Sequence, residues 1–180
     1  MAVVHNGLMW PKVVNVLDIG CGEGRNAVFL ARNGYDVDAF DLSDEGIKKT
    51  RALAAGTGVK INAFAADLNE VRLNDEYDIL FSTGVLHCLM PELRDEIFQN
   101  YKSHTRQGGL NVFTVFVKKP FIAEAPDADP NGHEWRSGEL LNRYHDWRID
   151  WSIEEIFDCM SSGIPHKHCV NRVIAKKPTS

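Results

Sequence analysis

Residues 13–34 read VVNVLDIGCGEGRNAVFLARNG: a strand-length apolar run, three glycines within five residues, then Ala27, Leu30 and Ala31 at helical spacing before Gly34. The run suits a strand buried on both faces, and Gly34 suits a helix C-terminus. The unit then recurs. YDVDAFDLS predicts a second strand, and Ser43 with Asp44 and Glu45 predicts the cap and first turn of a helix stopping at Gly56. VKINAFAADL and YDILFSTGVL predict a third and fourth strand. Pro91 opens another helix, Gly108 and Gly109 close it, and LNVFTVFVKK is a fifth strand. Such alternation constrains the chain to an α/β fold, a parallel sheet with helices on both faces. Ligands of these sheets bind beyond the carboxyl ends of the strands, where strand order reverses, which points to residues 20–24.

The rhythm breaks after Lys119. PFIAEAPDADPNGHEWRSG has no period and three prolines, so residues 118–138 are expected as a lid or substrate loop. Trp135 within it suits either a lid residue or ordinary packing. Ser137 then predicts the cap of a helix, GELLNRYHD. WRIDWS and HCVNRVIAKK predict two final strands, with a short helix over residues 153–160 between them.

The 180 residues fit one domain, 1–180, with a net charge of -5. That balance argues against a nucleic-acid partner, and the apolar runs are too short to span a membrane. The first twelve residues lack the basic start and apolar core of a signal peptide, so a cytoplasmic location is expected. Cys21, Cys88, Cys159 and Cys169 contain no C-x-x-C pair and read as small reduced fillers. His166 and His168 share one face of a strand. As a metal pair they need a third ligand, and Cys169 points to the other face, so no metal site is expected.

The dinucleotide fingerprint G-x-G-x-x-G requires its third glycine where this chain has Arg25. The spacing is instead G-x-G-x-G, with Asp18 two residues ahead of Gly20. A carboxylate beside the loop disfavours a pyrophosphate and favours a ligand with a cationic group. S-adenosylmethionine fits, its ammonium oriented by Asp18 and its carboxylate taken by Arg25 and Asn26 at the helix start. Asp41 at the second strand end is placed for a ribose diol. Asp67 at the third can accept from an adenine amino group, with the Leu68 amide nearby. Each acid alone suits a turn or cap. Three at successive strand ends beside one glycine loop favour a binding site.

VLDIGCGEG, AFDLS, AADL and YDILFSTGVLHCL resemble the class I S-adenosylmethionine-dependent methyltransferases. The resemblance implies a Rossmann-like, doubly wound seven-stranded sheet, mostly parallel, with an antiparallel C-terminal hairpin. It extends the cofactor set to Gly20, Cys21, Gly22, Gly24, Leu42 and Thr83. GCGEGRNAVFLARNGYDVDAFD, EYDILFSTGVL and SGELLNRYHDWRIDW resemble more closely the tellurite-resistance methyltransferases of the TehB type. That family has a His followed by a basic residue and a later arginine, matched here by His166, Lys167 and Arg172, though with a shorter intervening turn. His87 is a departure, standing where the family can carry an apolar residue.

The resemblance implies methyl transfer to a small molecule, a chalcogen oxyanion such as tellurite or selenite foremost. An oxyanion requires a cationic pocket, for which His166, Lys167 and Arg172 are candidates and Arg143 a possible addition; Lys167 and Arg172 equally suit solvated charges on a hairpin. An organic thiol, amine or hydroxyl acceptor, with His87 as base, is the alternative. STGV stands where enzymes methylating nucleobase amines carry Asn/Asp-Pro-Pro-aromatic, which again favours a small molecule.

Overall fold

The computed structural model describes residues 4–5, 8–9, 13–126, 128–130 and 132–179. Two short strands, β1 (Val4–His5) and β2 (Leu8–Met9), pair antiparallel apart from the main sheet. The main sheet begins with β3 (Asn15–Ile19), whose last four residues are buried. Then follow α1 (Arg25–Arg32), β4 (Asp36–Asp41), α2 (Asp44–Thr57), β5 (Asn62–Ala65), β6 (Tyr77–Thr83), α3 (Arg94–Ser103), β7 (Thr105–Phe116), α4 (Glu139–Asn142), β8 (Arg148–Cys159) and β9 (His166–Lys176). Spatial order is β5-β4-β3-β6-β7-β9-β8, the first five strands parallel and β9 antiparallel to both β7 and β8. The expected seven-stranded α/β sheet with an antiparallel final pair is therefore present. Strand order reverses at β3, which pairs with both β4 and β6.

Alternation along β3 divides the core. Val16 packs with Ala27 of α1, Ile47 of α2 and the small residues Val37, Ala39 and Ala63. Leu17 and Ile19 join the larger cluster of Phe40, Leu80, Phe98, Tyr101, Phe113, Trp135 and Tyr144. Ser43 caps α2 as expected, accepting from the Gly46 amide at 3.0 Å.

Four local expectations are corrected. The helix α2 runs past Gly56 to Thr57, with Gly58 as its left-handed cap. The helix α3 follows a 3-10 turn opened by Pro91 and ends at Ser103, before Gly108 and Gly109. Those glycines lie inside β7, where its register against β6 shifts. A Cβ on Gly109 would lie 2.8 Å from the Asp78 carbonyl oxygen, so a close backbone approach, not helix termination, requires that glycine. Ser137 caps no helix, since its hydroxyl bonds Glu154 and Gly138 stands at the N-cap of the short α4. Finally, residues 153–160 are not helical. Ile153, Ile156, Phe157 and Met160 fall at helical spacing, but Arg148–Cys159 pairs with β9 along its whole length. The ladder overrides the local period.

Candidate active site at the carboxyl ends of the strands

The loop after β3 is shaped by three glycines with φ of 69° (Gly20), 56° (Gly22) and 83° (Gly24). Two of them are also packed against the protein. A Cβ on Gly20 would lie 2.3 Å from Val85 Cγ1, and one on Gly24 would lie 2.6 Å from Thr50 Cγ2. Gly22 differs, because nothing lies within 4 Å of its Cβ position. The loop is thus tied down at both ends and open in the middle. Thr50 donates its hydroxyl to the Gly22 carbonyl at 3.1 Å, and the Gly20 and Cys21 amides both donate to the Phe40 carbonyl at 2.9 Å.

Asp41, at the end of β4, accepts from the Gly22 amide and the Ser43 amide, each at 2.9 Å. One carboxylate therefore clasps the glycine loop to the start of α2. Asp18 sits beneath the loop at 1% exposure, and its Oδ2 has no hydrogen-bond partner among the described residues. Burial foremost, with a further contribution from the Asp41 charge, raises its pKa from 3.8 to about 7, against a backbone hydrogen bond from Ala27.

The other expected cofactor residues stand around this loop with different degrees of freedom. Arg25 is exposed at the start of α1, whose N-cap, Gly24, offers no side-chain acceptor, and Asn26 is half-buried beside it. Leu42 is a large apolar side chain left 71% exposed just beyond β4. Asp67 turns the chain after β5 by accepting from the Asn69 amide at 2.8 Å, while Leu68 is buried in the core. Thr83 is exposed at the end of β6. Cys21 is buried against Thr50, its thiol pushed up to about 11 by burial and then by Asp18, so it is inert packing. Residue spacing gave no signal for Thr50 and Val85, which fit the loop from α2 and from the segment after β6.

Beyond β6 and β7 a row of rings forms a wall. His87 meets Phe116 edge-on at 5.3 Å, and Phe116 meets His168 at 4.9 Å. His168 Nε2 stands 3.0 Å from His166 Nε2. Burial lowers the His87 pKa, against Asp129 and Glu134, and its buried Nδ1 has no partner among the described residues. The remaining basic candidates are not gathered there. Lys167 lies on the opposite strand face and pairs with Asp158 at 2.5 Å. Arg172 shares the face of His166 but pairs with Glu155, about 20 Å along the strand at about 3.3 Å per residue. Arg143 is turned onto Phe98 and Trp135 and pairs with Asp95.

Trp135 belongs to the core. It is fully buried, donates from Nε1 to the Leu86 carbonyl at 3.0 Å, and carries the Arg94 guanidinium 4.2 Å from its ring centre. Its amide bonds Phe116 O at 2.8 Å and its carbonyl accepts from Lys118 at 2.9 Å. This fastens the end of the 118–138 segment to the sheet, and the His133 amide donates to the His87 carbonyl.

The strand order, the antiparallel last pair and the glycine loop at the order reversal are those of the class I S-adenosylmethionine-dependent methyltransferases. Within that class, the family model described as tellurite resistance protein TehB matches residues 4–161, and the chain belongs to that family. It is 34% identical over 166 residues to hemagglutinin 1 of Eikenella corrodens, covering 90% of this chain and 54% of that protein. It is 31% identical over 134 residues to a Haemophilus influenzae protein named "Probable S-adenosyl-L-methionine-dependent methyltransferase TehB", covering 74% of this chain and 46% of the relative. The chain thus spans about half the length of these curated relatives. The crystal structure of TehB from Haemophilus influenzae superposes with a TM-score of 0.83 at 27% identity, over 92% of this chain and 58% of that one. Among the described residues no helix is long and apolar enough to cross a membrane.

Proposed function

We propose that this chain transfers a methyl group from S-adenosylmethionine to a small molecule. The observation that carries the reading is the open backbone at Gly22, held by Asp41, together with the buried Asp18 carboxyl, whose Oδ2 has no partner among the described residues. A phosphate-free ligand with a cationic ammonium fits that arrangement, because a positive group near Asp18 offsets its desolvation. Arg25, Asn26 and the uncapped start of α1 would take the ligand's carboxylate. Asp41 keeps lone pairs beyond its two amide bonds for a ribose diol. Leu42 offers apolar surface to the adenine, Asp67 an acceptor for its amino group with the Leu68 amide beside it, and Thr83 a polar edge. When bound, the cofactor supplies an electrophilic methyl on a sulfonium. The chain's own part is to hold the acceptor about 3–3.5 Å from that carbon and keep water away.

For the acceptor, family membership supports a chalcogen oxyanion such as tellurite or selenite. His166 and His168 supply the polar groups for it, while Lys167 and Arg172 are engaged by acids. The second reading, an organic thiol, amine or hydroxyl, is favoured by His87. Its lowered pKa and unpartnered Nδ1 describe a neutral imidazole able to accept a proton. Purified chain is incubated with S-adenosylmethionine and tellurite, selenite or an organic panel, and S-adenosylhomocysteine is measured. Loss of turnover in His166→Ala with His87→Ala active supports the oxyanion, and the reverse supports the organic acceptor. No product with any acceptor, in a protein that binds the cofactor, removes the methyltransferase reading.

A further inference from the structure

The ladder between β8 and β9 brings Cys159 directly opposite His166, and His168 follows two residues later on the same face. Ligand atoms of Cys159, His166 and His168 all lie within 4.8 Å of one another, and the two Nε2 atoms stand 3.0 Å apart. Donors set tetrahedrally about 2.0–2.3 Å from a zinc ion stand roughly 3.3–3.6 Å apart. Small side-chain rotations therefore suffice. We infer that the β8–β9 hairpin holds one soft divalent cation of the zinc class through Cys159, His166 and His168.

The surroundings match the chemistry of such a site. His166 Nδ1 lies 2.7 Å from the Ile164 carbonyl, which only accepts, so the ring proton sits on Nδ1 and leaves Nε2 as the donor atom. The His168 ring is held between Phe116 and Phe157, with centroids at 4.9 and 5.7 Å. Cys159 Sγ lies 3.2 Å from Ser161 Oγ, a hydroxyl able to donate to the thiolate that metal binding creates. All three ligands are half-buried, so an ion has access. One thiolate and two imidazoles suit zinc better than magnesium or calcium. Three protein ligands leave a fourth position open to an anionic oxygen or a thiolate.

The test uses the full chain, reduced, without cofactor or acceptor, so its result is separate from that of methyl transfer. Cobalt(II) is the spectroscopic probe and zinc the competitor. The wild type is expected to take up one equivalent with a thiolate-to-cobalt charge-transfer band that zinc displaces. Cys159→Ser and His168→Gln are expected to lose that band and at least about 100-fold in zinc affinity, the upper end of what loss of an outer-shell partner costs. Cys169→Ser, on the opposite face, is expected to retain both. Circular dichroism checks that each variant is folded. The inference is overturned if wild type shows no such band, or if folded Cys159→Ser binds as wild type. It is equally overturned if the band follows Cys88→Ser, because His87, Cys88 and Asp129 form a separate cluster of donors.

Discussion

Replacing Asp18 by asparagine tests how the glycine loop tolerates a buried charge. The carboxyl is 1% exposed and its pKa is raised from 3.8 to about 7. At about 1.4 kcal/mol per pH unit, ionising Asp18 in the cofactor-free fold costs about 4 kcal/mol. Because the folded pKa is the raised one, the folded chain keeps a proton that the unfolded chain has released. This contribution to stability is fully present below about pH 4 and lost as pH rises through about 7. Asparagine has the same shape and no charge. For a chain of this size 1 kcal/mol moves Tm by about 2–4 °C, so Asp18→Asn should melt about 8–16 °C above wild type at pH 8. The two melting profiles should converge towards pH 4. Adding S-adenosylmethionine at pH 8 should raise the wild-type Tm more than the variant's, since its ammonium offsets a charge only wild type carries. Scanning fluorimetry between pH 4 and 8.5, with and without cofactor, reads all three effects. Parallel pH profiles, or a variant that melts lower at pH 8, would refute the reasoning.

Two glycines of one loop should part company. Gly20→Ala must displace Val85 and should destabilise by well over 2 kcal/mol in urea titration, whereas Gly22→Ala meets open space and costs only the about 1–2 kcal/mol of a left-handed alanine while losing cofactor affinity by calorimetry. Trp135→Ala removes a fully buried indole and should cost about 3–5 kcal/mol, while Phe121→Ala in the same segment, 72% exposed, should stay within about 0.5 kcal/mol. Lys167→Ala breaks only an exposed ion pair with Asp158 and should change stability by less than about 1 kcal/mol, read by denaturant midpoint.

The parallel half of the sheet was legible because its strands are short, apolar-rich runs alternating with helix signals, and β3 to β6 each end at or within two residues of a glycine or an acid. The positions of Asp18, Asp41 and Asp67 relative to the glycine loop followed from that rhythm alone. The hairpin was not legible to the same degree. Ile153, Ile156, Phe157 and Met160 carry a helical period, and only pairing with the long partner β9, which follows across the turn of residues 160–165, makes the segment extended. That one misassignment hid Cys159, because a third donor beside His166 and His168 exists only if residues 153–159 run as a strand. The same limit applies to Val85 and Thr50, whose fit against Gly20 and Gly24 is a tertiary fact with no local signature. Gly109 misled for the opposite reason: its positional meaning is a close approach to the Asp78 backbone, which resembles a helix stop when only the chain is read.

Strand β8 is the last in its sheet, so among the described residues one side of its backbone has no strand neighbour. Trp151, Ile153 and Ile156 on it are 45%, 37% and 47% exposed, a surface that invites pairing with the same strand of another molecule. Asp150, Glu154, Glu155 and Asp158 are interspersed among them. Each is paired with a base, so this border carries charged side chains between its apolar ones, and replacing the acids by amides is expected to favour edge-to-edge aggregation.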